Sequence, residues 1–208
     1  MKTIIGLAFL AVSASIHAFG FEDITTWAGT GSKRVGFVVD WNDGINPQSL
    51  VWGFRWDGNA TGQDLLNAIT AVDPKLSRTL GGGGPLTVYG LGYDLDNDGF
   101  GITGSGDDAV ASDPDDHYKA GWFTAGFWGY FNAQGTTDLP TSWSWGDGSF
   151  ISGNLDDASW EGFSWAPAFD GTPPSDPANA PVPEPASLIA LGLGAVAVLR
   201  RGRKEARK

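Results

Sequence analysis

Near its end the chain carries an apolar run, Ala186 to Leu199, fourteen residues long and closed by Arg200, Arg201, Arg203, Lys204, Arg207 and Lys208. A run of this kind constrains the fold more than any other feature, because it suits a bilayer better than a water-soluble core. It is shorter than the roughly 20 residues that cross a bilayer core comfortably, so a short transmembrane helix is expected. A basic flank stays cytoplasmic, which places everything before Pro183 outside. Met1-Lys2-Thr3 supplies a positive start, Ile4 to Val12 an apolar core and Ile16-His17-Ala18 a cleavage site, so residues 1–18 read as a secretory signal peptide. The folded part is expected at residues 19–166, with a Pro- and Ala-rich extended linker at 167–182.

That middle is long enough for one domain with a proper core, and it contains no cysteine. Packing or a bound metal ion must therefore supply the stability that disulfides give many exported domains. From Phe19 to Val182 there are six basic and 22 acidic residues, a net charge of −16 (6 − 22) that the basic tail masks in the whole-chain −11. Such a surface repels phosphate backbones, so nucleic acid is excluded as a partner. Solubility outside the cell and attraction of divalent cations both account for the acidity.

Arg34 to Asp40 is an apolar, β-branched run that ends in the turn Trp41-Asn42-Asp43-Gly44, and it reads as a buried strand. Val51 to Trp56 alternates, with Trp52, Phe54 and Trp56 on one face, and is expected to pair with it. Thr61-Gly62-Gln63-Asp64 opens a capped helix whose buried face is Leu65, Leu66, Ile69 and Val72, and Asp73-Pro74 ends it. Gly81 to Gly84 form a loop without the Lys-Ser/Thr of a phosphate site. The expected class is α+β and mostly β: antiparallel sheets with one capped helix.

Leu86 to Tyr93 is a further strand, and it leads into Asp94-Leu95-Asp96-Asn97-Asp98-Gly99. Carboxylates at alternate positions before a glycine turn match the first half of an EF-hand calcium loop. The twelfth position is Ser105, not Glu, so Asp107 and Asp108 are the candidates to complete the calcium shell. An acidic surface turn is the alternative, since Asp and Asn favour that backbone on their own. Asp113 to Tyr118 adds a second acidic cluster around His117, which is expected at the solvated surface.

Ten tryptophans exceed what a core of this size needs, so some are expected on an exposed, sugar-stacking face. Core filling is the competing account. Trp143 and Trp145 sit among small and polar residues and are the expected exposed pair, whereas Trp52 and Trp56 flank Phe54.

Two family resemblances follow from these motifs. Val182-Pro183-Glu184-Pro185-Ala186-Ser187, the short apolar run and the Arg-rich tail resemble the PEP-CTERM sorting signal of exported Gram-negative bacterial proteins. The resemblance implies recognition at Pro183, Glu184 and Pro185 by an exosortase, transient residence in the inner membrane, and delivery to the cell surface or extracellular matrix. As a family such proteins are associated with exopolysaccharide. Separately, the Thr61-to-Leu66 helix start and the aromatic strand ending Tyr130-Phe131-Asn132 faintly resemble transcobalamin-type cobalamin-binding β-domains, apart from the Asp-rich insertion between Asp94 and Asp116. That resemblance implies ligand contacts at Trp128, Tyr130 and Trp165.

The chain lacks a Gly-x-Ser-x-Gly elbow and has one histidine after the signal peptide, which leaves carboxylate-based hydrolysis as the enzymatic alternative. The expected function is non-catalytic: an exported protein that engages polysaccharide, with a corrinoid-like small-ligand binder as the rival.

Overall fold

The computed structural model describes residues 18–81, 87–122, 125–167 and 171–182. The signal peptide up to residue 17, the glycine loop at 82–86 and the sorting signal at 183–208 lie outside the described residues. In chain order the elements are β1 (Trp27–Gly29), β2 (Lys33–Asp40), β3 (Ser49–Trp56), α1 (Gly62–Val72), β4 (Leu76–Gly81), β5 (Thr87–Tyr93) and β6 (Ile102–Thr103). There follow β7 (Val110–Ala111), β8 (His117–Ala120), β9 (Phe127–Gln134), β10 (Ser144–Trp145), β11 (Ser159–Ala166) and β12 (Ala178–Asn179). The fold is mostly β with one α-helix among the described residues.

The largest sheet runs β1-β3-β2-β11-β9-β10, with β12 also on β3. β2 is buried from Val35 to Asp40, as a strand with both faces covered must be. It pairs antiparallel with β3, Phe37 opposite Trp52, as the sequence led one to expect. On its other side it pairs in parallel with β11, Phe37 opposite Glu161. β1 and β12 also join β3 in parallel, so the sheet is mixed and not purely antiparallel. Parallel partners are joined by long connections, and local periodicity carries no trace of them.

One face of this sheet packs Phe37, Trp52, Phe54 and Phe163 against Leu65, Leu66 and Ile69 of α1. The helix start is fixed by a reciprocal pair: Thr61 Oγ1 accepts from the Asp64 N–H at 3.3 Å, and the Asp64 carboxylate accepts from the Thr61 N–H at 2.8 Å. Asp64 is long enough to complete the box. Val72, expected on the buried face, is instead 39% exposed because it sits in the last turn beyond the packed sheet. Asp73 then receives both Trp52 Nε1–H at 2.9 Å and Tyr93 Oη–H at 3.1 Å, which ties the helix end to the large sheet and to the β4-β5-β8 sheet.

The opposite face carries Val38, Val51 and Trp160 beneath Phe21 and Ile24. Here Trp27 lies across Gly53 and Trp160 across Gly36, so closely that a Cβ at either glycine would overlap the indole. Glycine in these strands gives the rings room to lie flat on the sheet.

Of the expected extended linker at 167–182, residues 171–182 are docked on the sheet. β12 pairs with Leu50 and Val51, and the Ala180 N–H donates to the Val51 carbonyl at 3.2 Å. Ser175 donates its N–H and Oγ–H to the buried Asp40 carboxylate at 2.8 and 2.7 Å. The physical reason is the open edge of β3: β1 covers only Gly53 to Arg55, and β12 covers Leu50 and Val51, so the two short strands close the edge end to end. No helix of the described residues is long and apolar enough to cross a membrane.

Candidate functional site

The acidic turn leaves β5 at Tyr93. Asp94 is buried, and its two carboxylate oxygens accept from the Asn97 N–H at 2.6 Å and the Gly99 N–H at 3.1 Å. Asn97 and Gly99 adopt positive φ, 65° and 122°, which curls the backbone around that carboxylate. Asp94, Asp96 and Asp98 each bring a carboxylate oxygen within 4.8 Å of the other two, a spacing that suits one shared cation. The charge of Asp96 is the main influence holding the Asp98 carboxyl above its ordinary range.

Asp107 and Asp108, expected to complete this shell, are not in that group. Asp107 accepts from Tyr89 Oη at 2.6 Å and from the Trp122 N–H at 3.3 Å, near the other end of β5, and Asp108 is exposed on the same 3₁₀ turn. The Asp107 bond pushes the Tyr89 hydroxyl up to about 12. The carboxylates that do stand near the turn are Asp116, which accepts from the Leu95 N–H, and Asp113, whose charge acts on Asp98.

His117, expected at the solvated surface, is fully buried. Its ring stacks on Trp41 at 4.4 Å and 9°, Nδ1 lies 3.0 Å from Asp43 Oδ2, and Nε2 lies 3.0 Å from the Pro47 carbonyl. It braces β8 against the turn after β2.

Of the aromatic candidates, Trp52 and Trp56 are core, 0% and 5% exposed. Trp143 is half-buried, its ring against Gly162, while Trp145 is 55% exposed on the edge strand β10. Gly162 lies opposite Phe131, and Phe131 opposite Trp145, so both indoles occupy the same face of the large sheet. All ten tryptophans lie within the described residues, and Trp145 alone is exposed.

Trp128 and Tyr130 line a cleft on the sheet's other face, with Val88, Trp122, Phe150 and Phe163, enclosing about 370 Å³ including the open mouth. Trp165 does not line it. It backs Trp128, ring centroids 5.5 Å apart at 68°, and is 5% exposed. Behind the cleft Tyr130 Oη donates to Glu161 at 2.6 Å, and Ser159 Oγ donates to the same carboxylate at 3.4 Å. Burial pushes the Glu161 carboxyl up to about 7 and, with the Glu161 charge, raises the Tyr130 hydroxyl. Sequence reasoning passed over Glu161. The signal was its place between Trp160 and Gly162 in a strand with no other charged residue, where a carboxylate must be paired or neutralised.

Pro183, Glu184 and Pro185 lie outside the described residues. By sequence, residues 181–204 match the family model of the PEP-CTERM protein-sorting motif. No curated protein matches the chain. No solved structure matches it either, and nothing in these comparisons supports the transcobalamin resemblance.

Proposed function

We propose that this is an exported protein processed by an exosortase for the cell envelope and surface, as the match of residues 181–204 to the PEP-CTERM protein-sorting motif supports, and that its domain engages polysaccharide there, without catalysis, through Trp145. In this reading the apolar run from Ala186 to Leu199 holds the chain transiently in the inner membrane, with the basic tail on the cytoplasmic side.

One observation carries the proposal: nine tryptophans are buried or half-buried, and the tenth, Trp145, is 55% exposed. An indole more than half exposed offers ring surface to the C–H side of a sugar ring. Its neighbours Thr141, Ser142, Ser144 and Asp147 are exposed and supply donors and acceptors for hydroxyls. The net −16 of residues 19–182 favours neutral over polyanionic chains, because like charges repel during approach.

The cleft at Trp128 and Tyr130 favours a second reading, a small-ligand site. Its interior space, about 70 Å³ once open solvent is left out, is well below the roughly 300–1,000 Å³ typical of ligand pockets, so as it stands it admits a small group and not a corrin macrocycle.

Affinity electrophoresis of the exported protein in gels cast with neutral and with acidic polysaccharides tests the proposal. Retardation by a neutral glycan, with no new reducing ends released, is the expected result. Retardation by none, together with quenching of tryptophan fluorescence by a corrinoid or a single-ring aromatic compound, sinks it in favour of the cleft.

A further inference from the structure

Asp116 is 2% exposed, and only one of its carboxylate oxygens has a partner. Oδ1 accepts from the Leu95 N–H at 3.0 Å, the amide between the first two carboxylates of the acidic turn. Oδ2, on the same carboxyl carbon, is buried and has no hydrogen-bond partner. A buried polar atom left without a partner is costly, and a buried anion more so. The acidic groups acting on it are Asp94, Asp113 and Asp96, in that order, all of the same sign. In the turn that holds the Leu95 amide, Asp94, Asp96 and Asp98 bring three carboxylate oxygens within 4.8 Å of one another. A hard divalent cation answers both features, since it is held by carboxylate oxygens and neutralises the buried carboxylate.

We propose that Asp94, Asp96 and Asp98 hold a calcium ion, with Asp116 as the buried carboxylate whose charge the ion neutralises. Asp107 and Asp108 take no part. The site is independent of Trp145, so polysaccharide engagement and cation binding stand or fall separately.

Thermal melts of the full-length chain in 10 mM calcium chloride and in chelator test this. A three-carboxylate site with Asp96 and Asp98 exposed belongs in the extracellular affinity range, Kd of about 10⁻⁴ to 10⁻³ M. At about 100 times Kd the melting temperature should rise by roughly 5–10 °C. Asp96→Ala, on an exposed side chain, should erase the rise and leave the chelator melt unchanged. Asp116→Asn keeps an acceptor for the Leu95 N–H while removing the charge, so it should melt at or above wild type in chelator and lose at least about tenfold in calcium affinity. Superimposable wild-type melts with and without calcium would overturn the proposal. So would an Asp116→Asn variant that melts below wild type in chelator yet keeps the full calcium rise, because Asp116 would then be structural only.

Discussion

The indole of Trp145 meets the ring of Phe131 edge-on, with centroids 4.9 Å apart at 74°. Phe131 is 3% exposed, and Phe127 approaches the same indole at 5.9 Å. Trp145 is thus held by two rings, lies against Gly171 of the docked tail, and leaves 55% of its surface exposed. Such a side chain is already ordered before a ligand arrives, and binding through it loses little rotamer freedom.

Elsewhere on this face the rings are closed in from above, and glycine makes room below. Gly53→Ala and Gly36→Ala each drive a methyl into an indole, of Trp27 and Trp160 respectively. Overpacking of this kind costs about 1–3 kcal/mol. Urea unfolding of both variants should show midpoints lowered accordingly, while Gly148→Ala, with nothing within 4 Å of its added methyl, bears only the backbone penalty of its φ of 81°.

The docked end of the domain makes a prediction about processing. Among the described residues Ala180 is the last with a bond to the sheet, and the sorting motif begins at residue 181. Removal of the signal after about Pro185 should therefore leave the melting temperature unchanged, whereas a chain ended after Ala166 should lose β12 and the two Ser175 bonds to Asp40. Ser175→Ala removes one of those donors and should cost about 1–2 kcal/mol. Intact-mass measurement of surface material, paired with melts of the shortened chains, checks both.

Glu161 predicts a pH dependence of definite sign. Its folded-state value, raised by burial to about 7, exceeds the ordinary 4.5, so the folded state holds a proton that the unfolded state has released. The stability so gained is fully present below about pH 4.5 and is lost as pH rises to 7, about 3 kcal/mol in order of magnitude. Asp57, Asp64 and Asp147, lowered by hydrogen bonds from Ser32, Thr61 and Ser149, act oppositely, but below about pH 4 and so outside this window. Glu161→Gln keeps an acceptor for Tyr130 and should flatten the stability profile between pH 5 and 8. A variant profile parallel to wild type would show that Glu161 is ionised throughout.

Much of this was legible wherever one local rule decided the outcome. The Thr61–Asp64 cap, the pairing of β2 with β3 and the shared face of Trp52, Phe54 and Trp56 followed from spacing alone. Of Trp143 and Trp145, expected as an exposed pair from their polar company, only Trp145 is exposed, while Trp143 is half-buried against Gly162. Asp116 was not legible, because only the folded chain brings β8 to the turn after β5. Asp107 fits a calcium loop by sequence distance, yet Tyr89 and Trp122 draw it away. His117 looked solvated beside three aspartates, but Trp41, 76 positions earlier, covers it. The docked tail is the same kind of miss, since composition marks residues 167–182 as extended and does not reveal the open edge that receives them.

The central claim is that Trp145 is a binding platform and not a piece of core, and affinity electrophoresis of Trp145→Ala in a neutral polysaccharide, beside its urea unfolding curve, tests it most directly. The account predicts retardation lost, at least about tenfold in affinity, with stability within about 1 kcal/mol of wild type; a core tryptophan such as Trp52 should cost about 3–5 kcal/mol when replaced by alanine. Undiminished retardation of a stably folded Trp145→Ala, or a core-sized loss of stability, would contradict it.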